Sequence, residues 1–273
     1  MGIFDRLAEI ERQGSAVALA TVVRARGSVP RRAGSKMLVF ADGRIEGTVG
    51  GGEMESRVIR EALEAMTSSE PRILHYTFQD PAQGDPGVCG GEMEVFVEPI
   101  LPRRTLIVVG AGHVGKAVAH LGRWLGFRVV VCDDRAEFAR PEIVPDGDVY
   151  VACPLAEIPA RLDITDQSMI ILTTRGVALD VEGLPPLLDT PAAYIGVIGS
   201  RKRWETCVAQ MREMGVPEEK IERVTSPIGL ELNAETPEEI AVSILAEIIM
   251  LVRGGSGETM AHKPVRRKRG QGA

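Results

Sequence analysis

The chain has 273 residues, 44% hydrophobic and 26% charged, which is the balance of a soluble globular protein of about two domains. That composition excludes collagen-like, disordered and disulfide-stapled proteins, and with aromatics at 4% the cores must be built from Val, Ile, Leu, Ala and Met. The net charge of −6 is uneven: residues 259–273 hold five basic residues and no acid, which leaves 27 basic against 38 acidic residues in 1–258, and such an acidic body argues against nucleic-acid binding.

Ile3, Phe4, Leu7 and Ile10 fall at helical spacing and predict a short opening helix. Residues 16–25 read as a strand, and 27–35 as a loop rich in Gly, Pro and Arg. KMLVF and RIEGTV flank Asp42-Gly43 as a hairpin. Gly50, Gly51 and Gly52 then open a helix to about Met66. Strands are expected at 72–78 and 92–100, joined by the loop 79–91. These residues make an α+β domain over 1–98. The Pro-interrupted stretch 99–104 is the expected linker.

From Thr105 the pattern becomes strand–helix alternation. TLIVVG is a continuous apolar strand, as in a parallel sheet covered on both faces. Further strands are expected at 127–132, 148–152, 168–174 and 193–198, with helices between them. The fold class is therefore α/β, with a Rossmann-like doubly wound domain over 105–253 following the α+β domain. Thr236, Pro237 and Glu239 form a capping box for the last helix. Residues 254–273 read as a disordered, solvated basic tail; the other reading is a contact to RNA or anionic lipid.

Cys89, Cys132, Cys153 and Cys207 stand far apart and the four histidines form no H-E-x-x-H, so no structural zinc site is expected. The opening residues carry acids and lack an apolar run, so no signal peptide is expected. Arg6 breaks the myristoylation pattern. The apolar run near Ile240–Val252 contains Ser243 and Glu247 and is too short to span a bilayer. A cytoplasmic protein with reduced thiols follows, with no membrane or nucleic-acid partner.

The chemistry concentrates in a few places. Gly110-Ala111-Gly112-His113-Val114-Gly115 follows a strand and opens a helix, and Asp133 ends the next strand. That is the dinucleotide fingerprint in its required context, with Asp133 expected to accept from ribose hydroxyls. His113 either faces solvent or touches the ligand. Gly199-Ser200-Arg201-Lys202-Arg203 follows another strand. Ser200 is a natural N-cap, and Arg201 and Lys202 add charge at the positive end of a helix. The turn is either an anion contact or a solvated basic face. Glycines flank Cys89, which is either an exposed soft ligand or sulfur relay, or a small residue at a tight turn. Glu53 is either a base or a first-turn acid favouring the helix dipole. Ser28, Pro30, Arg31 and Arg32 form a rigid basic loop that is expected to face the same space as Gly50–Gly52.

Taken together, these segments resemble the XdhC/CoxI family, accessory proteins that mature molybdenum hydroxylases such as xanthine dehydrogenase and carbon monoxide dehydrogenase. The resemblance rests on GSVPRRAGSKMLV, GTVGGGEMES, VCGGEMEVFVEP, LIVVGAGHVGKAVA, YIGVIGSRKR and SPIGLELNAETPEEIAVSILAEI, and covers about residues 15–253. It implies a chaperone-like protein that binds the molybdenum cofactor, with or without an attached nucleotide. Such a protein holds the cofactor during sulfuration by a cysteine desulfurase and passes it to the apo-enzyme. Cofactor contacts would fall to Gly110–Gly115, the Cys89 loop and Gly50–Gly52. The sequence departs from the family where Glu53 stands in place of a Cys after the triple glycine. Thr173-Thr174-Arg175-Gly176 also lacks a His often found there. The residues by themselves leave two other readings: an NAD(P)-dependent oxidoreductase and a non-enzymatic nucleotide-sensing module. The chain is expected to work as a homo-oligomer.

Overall fold

Helix α1 (Ile3–Gln13) gathers Ile3, Leu7 and Ile10 on one side, and these pack on Val17, Leu19, Leu38 and Phe40. Val17 and Leu19 lie in β1 (Val17–Arg26); their neighbours Ala18, Ala20 and Val22 point to the opposite face. That face is covered by α2 (Gly52–Ser68) through Met54, Val58, Ala62 and Ala65. The apolar run Val17–Ala20 that opens β1, buried throughout, thus reflects a sheet covered on both sides there. Strands β2 (Lys36–Phe40), β3 (Ile45–Gly47), β4 (Arg72–Thr77) and β5 (Glu92–Ile100) complete an antiparallel sheet in the order β3-β2-β1-β5-β4. The computed structural model describes residues 2–78 and 90–261. The Cys89 loop and the end of the basic tail lie outside the described residues.

The chain divides into two units, Met1–Pro102 and Arg103–Ala273. The linker expected at 99–104 is shorter than its prolines suggest. Pro99 and Ile100 belong to β5, opposite Ala18 and Val17 of β1. On its other side β5 meets β4 only as far as Val97, so the N–H missing at Pro99 interrupts no ladder there.

The second unit holds β6 (Thr105–Val109), α3 (His113–Trp124), β7 (Arg128–Asp133) and β8 (Val149–Ala152). Then come α4 (Ile158–Arg161), β9 (Ser168–Leu172), α5 (Val177–Leu188) and β10 (Tyr194–Val197). The unit ends with α6 (Arg201–Glu213), α7 (Glu218–Ile221), β11 (Val224–Thr225) and α8 (Pro237–Arg253). The sheet order is β11-β10-β9-β6-β7-β8, with every pairing parallel. Leu106, Val108, Val129 and Val131 face α3 and α8, while Ile107, Val109, Val130 and Ile170 face α5 and α6.

Two details differ from the sequence reading. No helix joins β7 to β8, where Pro141, Pro145 and Gly147 break the segment into turns. The two-residue β11 adds a sixth strand beside β10. The chain leaves β6 toward β7 and β8, then returns to its other side as β9. The crevice above the ends of β6 and β9 is the topological switch point where such sheets bind ligands.

Candidate functional site

The turn from β6 into α3 occupies that crevice. Gly110 has φ 105°, and a Cβ there would lie 2.7 Å from the carbonyl oxygen of Thr173. A Cβ on Gly115 would lie 1.9 Å from the carbonyl oxygen of Gly110, so only glycine lets α3 approach β6 so closely. Gly112, the N-cap of α3, has no atom within 4 Å of the corresponding position. No side chain caps α3 and no acid stands in its first turn. Its first N–H groups therefore face open space at the positive end of the helix dipole. His113 is exposed at the first helical position, on the side of this opening.

A cleft of about 360 Å³ including its open mouth adjoins the turn. Gly112, Asp133, Asp134, Arg135, Thr174 and Arg175 line it. Asp133 ends β7 with a carboxylate only 1% exposed. Its Oδ2 accepts from the Ala111 N–H at 2.8 Å, tying the glycine turn to β7. Its Oδ1 accepts from the Arg135 N–H at 3.0 Å and from Arg135 Nε at 2.9 Å. Arg135 Nη2 donates to Oδ2 at 3.1 Å. The Arg135 guanidinium also lies 3.7 Å from the centroid of the Phe138 ring. Beside it, Arg175 donates through Nη1 and Nη2 to the two oxygens of Asp134, both at 2.7 Å. This bidentate contact outweighs burial and holds the Asp134 carboxyl down at about 2.

Helices α5 and α6 show a different local logic. Ser200 caps α6 by accepting from the Arg203 N–H at 3.2 Å. Arg201 and Lys202 are exposed, and neither has an ion-pair partner among the described residues. Arg203, grouped with them by sequence, is committed elsewhere. Its Nη2 reaches Asp180 Oδ2 at 2.6 Å and Thr174 Oγ1 at 2.8 Å. Asp180 is fully buried in the first turn of α5 and is a residue the sequence reading missed. Its signal was weak: it is one of two acids, with Glu182, in the otherwise apolar run Val177–Leu184. The pair anchors the Thr173–Gly176 turn that carries Arg175.

In the first unit, Glu55 Oε1 accepts from Val49 and Gly50 N–H at 3.2 and 3.3 Å and from the Thr48 hydroxyl. Burial works against its charge, but the bonds from Thr48, Gly50, Gly51 and Val49 together lower its pKa. The Gly50–Gly52 loop is therefore closed by its own carboxylate. Gly51 and Gly52 face open space, with φ of 90° and 62°. A Cβ on Gly50 would touch Pro30 at 3.3 Å, and one on Gly91 would lie 2.3 Å from the Ser28 carbonyl oxygen. The basic loop thus meets both glycine-rich segments at one end of the sheet. Glu53 pairs with Arg57 at 3.1 Å. Cys132 is fully buried in β7, and burial pushes its thiol up. Among the described residues, no group of three or more His, Cys, Asp or Glu side chains is placed to hold a metal. No helix among them is long and apolar enough to cross a membrane.

The second unit is thus a doubly wound domain with a dinucleotide-type turn, and it follows an α+β domain. The chain belongs to the XdhC and CoxI family: the XdhC Rossmann domain model matches residues 106–248, and the XdhC and CoxI family model matches residues 10–77. It is 38% identical over 262 residues to the uncharacterized protein YqeB of Escherichia coli (strain K12), covering 95% of this chain and 48% of that one. It is 28% identical over 155 residues to a protein of Bacillus subtilis (strain 168) described as a probable xanthine dehydrogenase component, covering 57% and 45%. The chain spans about half the length of these relatives. It is 25% identical over 268 residues to the molybdenum cofactor insertion chaperone PaoD of Escherichia coli (strain K12), covering 86% and 83%. A crystal structure described as a xanthine dehydrogenase from Bacillus halodurans shares the fold, with 22% identity, a TM-score of 0.50 and coverage of 97% and 98%.

Proposed function

We propose that this chain is a maturation factor for a molybdenum hydroxylase. It binds the molybdenum cofactor, holds it while a cysteine desulfurase supplies sulfur, and passes it to the apo-enzyme. The observation that carries this reading is the alignment with a molybdenum cofactor insertion chaperone along 86% of the chain.

The second unit's geometry supports the reading. The cofactor carries a phosphate, and the uncapped start of α3 offers free N–H groups above the open space at Gly112. Gly110 and Gly115 shape that turn, Asp133 holds it through the Ala111 N–H, and His113 flanks it. Ser200, Arg201 and Lys202 lie at the end of β10 and add positive potential at the same end of the sheet. In the first unit, Gly51 and Gly52 leave room for close approach, while Val49 and Gly50 spend their N–H groups on Glu55. Cys89 supplies the soft thiol for molybdenum or sulfur. Bound to its client, the cofactor supplies the redox-active metal; this chain's residues bind, orient and release it.

The test is to purify the protein from cells that make the cofactor and measure molybdenum and pterin together. The protein is also co-expressed with a molybdenum hydroxylase. Stoichiometric pterin and a more active client are expected. Absence of both overturns the reading.

A further inference from the structure

In a doubly wound domain, the acid that ends the second strand ordinarily receives the hydroxyls of a nucleotide ribose. Here that acid is Asp133, and its acceptors are taken. A carboxylate offers about four lone-pair positions. Four donors fill them: the N–H groups of Ala111 and Arg135, together with Nε and Nη2 of Arg135. The 1% exposure of the side chain leaves a ribose no surface to touch.

Arg135 is itself held in place. It grips Asp133 with two guanidinium nitrogens and lies against Phe138. Next to it, the Arg175–Asp134 pair ties the end of β7 to the end of β9. The adenosine side of the crevice is thus closed by two arginine–carboxylate pairs. The place above Gly112 stays open.

We propose that Arg135 is a specificity-determining plug: it occupies the ribose position on Asp133, so the crevice accepts a phosphate at the start of α3 and rejects the adenosine end of NAD-type dinucleotides. The inference rests on the proposed function only in taking this crevice as the ligand site. Without Arg135, the Asp133 carboxylate regains free acceptors facing the cleft, while its bond to Ala111 keeps the turn in shape.

The test measures binding of ADP-ribose, NAD⁺ and inorganic pyrophosphate by calorimetry to the full-length protein. Wild type is expected to bind ADP-ribose and NAD⁺ no more tightly than pyrophosphate. Arg135→Ala should bind ADP-ribose at least tenfold more tightly than wild type, with pyrophosphate affinity changed less than threefold. Arg135→Gln keeps the side chain's first three carbons but is shorter and uncharged, and should show the same gain, which guards against a folding defect in the alanine variant. Asp133→Asn combined with Arg135→Ala should lose the gain. Tight ADP-ribose binding by wild type overturns the proposal, as does the absence of a gain in both Arg135 variants. If the gain appears in a protein that never carries pterin, the plug stands and the maturation reading falls.

Discussion

Gly112 and Gly115 lie in one turn, yet they should answer a side chain in opposite ways. A Cβ on Gly115 would meet the Gly110 carbonyl oxygen at 1.9 Å and Thr173 Oγ1 at 2.9 Å. The nearer neighbour is backbone, so α3 must move off β6. Forcing a methyl into such a contact costs about 3 kcal/mol. Alanine in place of glycine within a helix recovers about 1 kcal/mol. The net is about 2 kcal/mol, and at roughly 2–4 °C per kcal/mol for a large domain Gly115→Ala should lower Tm by roughly 4–8 °C. Gly112→Asp meets nothing within 4 Å, and the backbone there has φ −72°, which aspartate adopts freely. Aspartate at an N-cap is better than glycine by a few tenths of a kcal/mol, so Tm should hold or rise slightly. Its carboxylate, however, takes the N–H groups that an anionic ligand needs. Thermal unfolding by circular dichroism and pterin content of the purified variants check both halves. An unchanged Tm for Gly115→Ala refutes the packing argument. Wild-type pterin retention by a folded Gly112→Asp removes the cofactor from this turn.

Arg203→Ala leaves the buried Asp180 carboxylate with Thr174 as its remaining side-chain partner. Breaking such a pair costs about 3 kcal/mol, so the urea midpoint should fall clearly; an unchanged midpoint would mean the pair holds nothing. Asp134 sits at about 2 when folded against a usual 3.8, so its pair with Arg175 is fully stabilising above pH 3.8 and is lost as pH falls through 2. The stability gap between wild type and Asp134→Asn should therefore be present at pH 6 and shrink between pH 4 and 2, as read by urea unfolding at each pH. Replacing both Arg201 and Lys202 by Ala should weaken an anionic ligand roughly three- to tenfold at low salt and less at high salt. Equal affinities at low salt would make the turn a solvated face. Cys89→Ser should sharply reduce molybdenum retention and client activation at nearly constant Tm. Cys132→Ser should instead lower stability by about 1–3 kcal/mol through a buried hydroxyl, leaving activation intact. Full activation by Cys89→Ser refutes a role for that thiol.

Much of the fold was legible because it is written locally. The continuous apolar run of β6 marked a strand covered on both faces, as it is. The caps at Ser200 and Thr236 were readable because the cap and its partner lie three residues apart. Gly110, Gly112 and Gly115 stood out by their spacing, whereas their different surroundings are set by the fold. What sequence could not supply were partners set by the tertiary fold. Asp180 and Arg203 belong to different helices and meet only when α5 and α6 pack side by side. Arg135 stands two residues from Asp133, but only the bend after β7 turns its guanidinium back. Nothing in the sequence ties Glu55 to the glycine loop whose N–H groups bind its carboxylate in the structure. Strand β11 is two residues long, too short for any periodicity to register.

The bare start of α3 has a consequence for the life of the protein in a cell. Helices α6 and α8 are each closed by a hydroxyl, whereas α3 forgoes a cap worth about 1 kcal/mol. A phosphate seated on those N–H groups would return that deficit and more, because a ligand at a hundred times its Kd stabilises the folded state by about 2.7 kcal/mol. Empty molecules then open more often and meet proteases more often than loaded ones. If the cofactor binds as proposed, turnover would fall as its supply rises, and the abundance of the chain would follow that supply with no separate sensor.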